Sequence, residues 1–305
     1  MRRRRRSPLR RLWPRKRSPP PARRAELTEK RPPSRSKSLE GVSGSSRPAA
    51  YGFVGTGAIT RAMVEGLSAV GPAPEIVVSP RSADVSAALA ARFANVRVAA
   101  DNQGVVDACA CVVVATRPDD TPEVLADLVF GADQVVVSVV AGLSLGALRA
   151  AVAPAVEVAR AIPLPSVAVR QGHVPVFPPR PVALELFRQL GAVVALDDET
   201  AFDSFSAASA FAATQLDLLA TVESWLVGRG VPAPDASVYV RELIRGLSDA
   251  LADEPDRELA LIASDHATPG GLNEQVRTDV RAHGVHEVVA AALDDVARRV
   301  AAPSR

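Results

Sequence analysis

From residue 50 to about residue 196, short runs of β-branched residues alternate with helix-length amphipathic stretches. Strands are predicted near 51–55, 75–79, 96–98, 109–115, 134–140, 156–161, 174–177 and 192–196. Helices are predicted at 58–70, 83–93, 102–108, 121–129, 145–151 and 182–190. The fourth and fifth strands are apolar at almost every position, as expected of strands buried on both faces of a parallel sheet. Such alternation implies an α/β, doubly wound sheet covered by helices. Beyond residue 199 no strand pattern remains. Helices are predicted at 212–228, 234–252, 257–264, 273–283 and 285–300, with Gly228-Arg-Gly230-Val-Pro232 as a clear break. The expected organisation is a tail over 1–49, a sheet domain over 50–198 and an all-α domain over 199–302. Several late helices are apolar on more than one side, so they are expected to bury surface against a second copy, in a homodimer or a higher homo-oligomer.

Composition excludes several functions. Residues 1–50 hold 17 of the 36 Lys+Arg and only 3 of the 34 Asp+Glu, so the +2 net charge hides a basic tail on an acidic body. The tail is Pro-rich and almost free of apolar residues, and is predicted to be disordered. Its arginines suit nucleic acid or an anionic membrane, but Trp13 alone offers stacking and no apolar segment follows them. A functionless extension is the simplest reading, with no specific nucleic acid and no membrane span expected. From Tyr51 onward there is no lysine, which excludes a Schiff-base lysine in the body. No apolar run reaches the roughly 18 residues that a spanning helix needs. Cys109 and Cys111 read as buried thiols on one face of a strand, in a reducing compartment, and a cytoplasmic location is expected. His173, His283 and His286 make no metal spacing, and no metal is expected.

The first strand–turn–helix reads Gly52-Phe-Val-Gly55-Thr-Gly57-Ala-Ile-Thr60. Gly55 permits a tight turn, Gly57 permits close approach of a pyrophosphate, and the helix start supplies N–H donors and a positive dipole end. The context makes this a Rossmann-type dinucleotide site formed by Gly55, Thr56, Gly57, Ala58 and Ile59. The second strand ends Val77-Val78-Ser79-Pro80-Arg81-Ser82, without the acid that would hold a ribose diol. Ser79, Arg81 and Ser82 suit a 2′-phosphate instead, so NADP(H) is expected over NAD(H).

These residues resemble the pyrroline-5-carboxylate reductase family over most of 51–302. The opening motif with Gly66-Leu67 and the turn through Arg81 and Ser82 are similar to that family's. Asn102, and Ala115-Thr116-Arg117-Pro118, fall where it has a cofactor-facing Asn and a Lys-Pro, and Ser138-Val-Val-Ala141-Gly142 is similar to its fifth-strand motif. Ala267-Thr268-Pro269-Gly270-Gly271-Leu272-Asn273 resembles its Ser-Pro-Gly-Gly-Thr-Thr loop. The resemblance implies an NADPH-dependent reductase that converts a cyclic imine carboxylate, 1-pyrroline-5-carboxylate, to L-proline. It further implies a dimer of C-terminal helices and a site between the two domains.

On this reading Thr268, Pro269, Gly270, Gly271, Leu272 and Asn273 bind substrate. The consecutive glycine N–H groups before a helix also suit a carboxylate on physical grounds. Asn273, Ser209 and His266 are the catalytic candidates, with His266 as a possible proton donor. The sequence departs from the family at Leu164, in Ala208-Ser209-Ala210-Phe211-Ala212, where only Ser209 is kept, and at Arg117 and Asn273. Two other readings stand beside this one: a catalytically silent NADP-binding sensor or dimeric partner, and a dehydrogenase of the β-hydroxyacid class. The second relies on a helix lysine that this body lacks.

Overall fold

A computed structural model describes residues 50–301; the tail assigned to 1–49 lies outside them. The strands are β1 (Ala50–Val54), β2 (Glu75–Val78), β3 (Val96–Val98), β4 (Cys111–Val114), β5 (Val135–Ser138), β6 (Glu157–Ala161), β7 (His173–Phe177) and β8 (Ala192–Ala195). Between them run α1 (Ala58–Ser68), α2 (Ala83–Arg92), α3 (Asn102–Ala108), α4 (Thr121–Ala126), α5 (Leu145–Ala151) and α6 (Pro181–Arg188). They form one sheet in the order β3-β2-β1-β4-β5-β6-β7-β8. The order reverses at β1, which pairs in parallel with β2 on one side and β4 on the other. That reversal opens a crevice at the carboxyl ends of the strands, where ligands of such sheets bind.

Strand periodicity divides the core in two. Tyr51, Phe53, Cys111 and Val113 face one apolar layer with Met63, Leu67 and Phe187. Val54, Val112 and Val114 face the other with Val105, Leu125 and Leu148. Burying each large side chain stabilises the fold by roughly 1.5–3 kcal/mol. Gly66 lets α1 lie against the 3-10 turn Pro165–Val169: a Cβ there would stand 2.2 Å from the carbonyl oxygen of Val167.

Two expectations are corrected. The sheet is not wholly parallel, because β7 runs antiparallel to β6. The connection between them holds only that 3-10 turn, too little for the helical crossover that a parallel return needs. The cysteines do not share a face either. Cys109 caps the end of α3 and joins one apolar layer, whereas Cys111 opens β4 and joins the other. Both thiols are free and buried, and burial pushes them up to about 11 and about 12 respectively.

After β8 the described chain is all helix: α7 (Glu199–Ser209), α8 (Phe211–Gly228), α9 (Ala233–Asp253), α10 (Leu259–Asp265), α11 (Leu272–Ala282) and α12 (Val285–Ala301). The helix α7 is one the periodicity did not predict. Its start is set by Asp198, whose carboxylate accepts from Thr200 N–H at 3.3 Å and Ala201 N–H at 3.1 Å. Its fixture is Arg160 at the end of β6, whose side chain is 3% exposed. The guanidinium donates to Glu199 at 2.7 Å and Asp203 at 3.0 Å, and lies 4.4 Å over the Phe202 ring. Glu199 also accepts the Leu145 N–H at 2.8 Å, tying β6, α5 and α7 together.

Helix α8 has no buried residue, and Leu216, Leu218, Val222 and Trp225 stand exposed. Residues Glu199–Gly228 are long and apolar enough, by length and composition, to cross a membrane. Glu199 and Asp203 within this stretch are committed to Arg160.

Removing Arg160 leaves two carboxylates facing a partly desolvated space. Arg160→Ala is therefore expected to lower the unfolding free energy by about 3 kcal/mol in urea titration. Burial raises the Asp203 carboxyl from its ordinary value, outweighing Arg160, which lowers it. A group that binds its proton more tightly when folded contributes stability at low pH and loses it as pH rises through the folded value. Asp203→Asn should remove that part of the pH slope; an unchanged slope would show that Asp203 does not supply it.

Candidate active site

The glycine turn, Arg81, Ser82 and the segment Ala115–Arg117 meet at the crevice beside β1. Gly55 has φ +97°, and a Cβ on it would lie 2.5 Å from the Ala115 carbonyl oxygen. Only glycine allows both the left-handed turn and this approach to the strand end of β4. Thr60, where the motif departs from Gly or Ala, is buried and donates to the Gly55 carbonyl at 2.6 Å. It locks the turn to the first turn of α1. Gly57 is the N-cap of α1, with no side-chain cap and no acid in the first turn, and nothing within 4 Å of an added Cβ. The helix start is thus open to an anion.

Ser79 is fully buried. Its hydroxyl accepts the Gly55 N–H at 2.9 Å, and Thr56 Oγ1 donates to its carbonyl at 2.7 Å. The structure thus turns this expected phosphate ligand inward as a brace of the turn. Gly55, Thr56, Gly57, Arg81, Ser82, Ala115, Thr116 and Arg117 surround a cavity of about 330 Å³, with Asp120. Ala58 and Ile59 begin α1 outside its lining, and Ile59 packs on the core. Asn102 lines a neighbouring cavity of about 420 Å³ that shares Arg81 and Asp120. Pro118 lines a third, of about 630 Å³, with Val140, Ala141, Gly142 and Leu143 after β5, and with Arg299 and Val300 of α12.

The substrate candidates form a separate group. No residue of Thr268–Asn273 lines any of these three cavities. The loop is largely exposed. Gly270 takes φ +72°, Gly271 caps α11, and Asn273 Nδ2 donates to the His266 carbonyl at 2.8 Å. His266 and Asn273 are thereby brought together. Ser209 is not joined to them; its hydroxyl donates to Ser206 within α7 at 2.7 Å. Both glycine N–H groups, expected to be free for an anion, already have partners. Gly271 donates to the Thr268 carbonyl at 2.8 Å, and Gly270 to the Glu274 carboxylate at 2.6 Å. The chain's own carboxylate occupies part of the anion position, reaching back from the first helical turn as in a capping box. Asp120, Glu274 and Arg299 escaped the sequence reading. Asp119-Asp120 directly after Arg117-Pro118 was the only available sign, because the other two depend on folding.

Residues 50–142 match the family described as NADP oxidoreductase, coenzyme F420-dependent. The chain is 27% identical over 232 residues to the pyrroline-5-carboxylate reductase of Haemophilus influenzae, covering 72% of this chain and 84% of that protein. Its fold is shared with the 1-pyrroline-5-carboxylate reductase of Streptococcus pyogenes, at TM-score 0.71 and 20% identity, over 82% of this chain and 97% of that one. Over most of its length the chain is thus similar in sequence and in fold to pyrroline-5-carboxylate reductases. It is an NAD(P)-dependent oxidoreductase. The Plasmodium falciparum pyrroline carboxylate reductase, solved with NADP bound, has the same fold at TM-score 0.70 and 16% identity, over 83% of this chain and 97% of that one.

The inward turn of Ser79 separates two roles by experiment. As a brace of the Gly55 turn it serves both nicotinamide cofactors, so Ser79→Ala should weaken NADPH and NADH binding by similar factors, about two- to tenfold for one hydrogen bond. A loss confined to NADPH in fluorescence titration would instead make Ser79 a direct phosphate ligand.

Proposed function

We propose that the protein is an NADPH-dependent reductase of a cyclic imine carboxylate, converting 1-pyrroline-5-carboxylate to L-proline. The observation that carries this reading is the open, acid-free start of α1 beside Gly55 and Gly57, with Arg81 and Ser82 on the same cavity. These residues fit the group: the N–H groups of the α1 start face a pyrophosphate, and Arg81 and Ser82 face a 2′-phosphate. Asn102 holds the adenosine end, and Thr116 and Arg117 the stretch toward the third cleft. When bound, NADPH supplies the hydride that the C=N carbon receives.

The third cleft is the reaction space, since it joins Pro118 to the segment Val140–Leu143 at the strand ends. Arg299 is the basic side chain of its lining, and orients a carboxylate there. A second copy of the chain brings its Thr268–Asn273 loop to this cleft, because the loop of the same chain does not line it. The exposed apolar surface of α8 is the contact that a homodimer or larger homo-oligomer covers. At the loop, Leu272 and Asn273 offer first-turn N–H donors, and the Asn273 amide is held by His266. The His266 Nδ1 lies 3.0 Å from the Ile262 carbonyl and so carries its hydrogen toward it; Nε2 hands over a proton only from the doubly protonated imidazolium and otherwise accepts one. An imine that binds already protonated needs no stronger acid, in keeping with a body free of lysine. Ser209 stands at the end of α7 as a further contact.

The direct test is NADPH oxidation by the full chain with pyrroline-5-carboxylate and a panel of cyclic imines with and without a carboxylate. Turnover confined to carboxylate-bearing imines supports the reading, and no turnover with any imine overturns it. Freeing the Gly270 N–H by Glu274→Ala should lower KM for the imine carboxylate by roughly two- to tenfold. A higher KM would show that Glu274 serves only to shape the loop. A monomer in sedimentation at micromolar concentration would remove the shared site.

A further inference from the structure

The 2′-phosphate candidate Arg81 is not free in this structure. Its Nη2 lies 3.1 Å from Oδ2 of Asp120. The Asp120 carboxylate comes from the other side of the crevice, in the turn that follows β4. The pair lines both the 420 Å³ cavity of Asn102 and the 330 Å³ cavity of the Gly55 turn. A dinucleotide that fills both must therefore run past this ion pair. Although Asp120 is the N-cap of α4, its side chain makes no cap hydrogen bond there. The first cavity is also acidic. Asp101, Glu123 and Asp127 join Asp120 against the single cation Arg81.

We propose that Asp120 is a specificity-determining residue, a carboxylate latch that acts through Arg81. In the free protein it holds the guanidinium across the cofactor groove. The 2′-phosphate of NADPH must take Arg81 from it. NADH carries no such phosphate and gains nothing from Arg81, so it leaves the latch in place. The latch therefore narrows the preference for NADPH that Arg81 and Ser82 would otherwise impose. The pair is solvent-exposed, with side chains 61% and 34% accessible, so its effect is of moderate size. This inference rests on the assignment of Arg81 to the 2′-phosphate.

The test is a set of binding titrations with NADPH and NADH on the full chain. Asp120→Asn is expected to tighten NADPH by about two- to fivefold, more than any change for NADH, which raises the ratio of the two affinities. Asp120→Ser should do the same and serves if the first variant folds poorly. Because Asp120 acts through Arg81, the gain should vanish in the Arg81→Ala background. A merely structural role would move both cofactors alike and would persist without Arg81. An unchanged or lower NADPH-to-NADH affinity ratio in Asp120→Asn, while Arg81→Ala loses NADPH selectively, overturns the latch alone. If Arg81→Ala weakens both cofactors equally, the phosphate assignment fails, and the latch with it.

Discussion

The fold turns on the close approach between Gly55 and the carbonyl of Ala115. β1 lies between β2 and β4, and the chain must leave it in a left-handed turn that almost touches the end of β4. Only a residue without a side chain fits there. The turn is held from three sides: the Ser79 hydroxyl on the Gly55 N–H, Thr60 on the Gly55 carbonyl, and the Ala115 N–H on the Val54 carbonyl at 2.8 Å. With these bonds the start of α1 is aimed along the crevice and left open. The candidate cofactor site is thus a consequence of how three neighbouring strands end, and its bracing hydroxyls, Thr60 and Ser79, are as buried as the core.

A second fixture joins the sheet to the helices. Arg160 is a charge in an almost dry place, and it is tolerable there because two carboxylates and an aromatic face surround it. Its Nε finds no hydrogen-bond partner among the described residues, a residual cost of the arrangement. The cluster fixes α7 against the sheet and hence where the later helices set out. Those helices leave much apolar surface uncovered. One chain therefore carries a braced crevice on the sheet and the Thr268–Asn273 loop away from it, a division that the proposed second copy would reconcile.

Most of the architecture was legible from periodicity. The alternation of strands and helices to about residue 196 and the helices beyond it stand as expected, because burial on two faces or one leaves a plain mark in the sequence. Residues Leu145–Ala151 even agree at both ends. The failures have local causes. α7 went unseen because Glu199–Ser209 is short of large apolar residues and is held by polar contacts to a distant strand. The antiparallel β7 was hidden because a 3-10 turn and a helix crossover look alike in a Pro-rich stretch. Cys109 lies in an apolar run, and such a run does not show where a helix cap ends and a strand starts.

At the site the same line divides what could be read. The glycine turn, the open helix start and the absence of an acid after the second strand are local features, and the sequence by itself determined them along with the Rossmann-type fold. Tertiary structure decided which way Ser79 points, that Arg81 meets Asp120, that Glu274 sits on the Gly270 N–H, and that the Thr268–Asn273 loop lies apart from the crevice. Side-chain direction depends on which strand ends become neighbours and which surfaces lose water. Strand order and desolvation belong to the packed chain, and no spacing of residues encodes them.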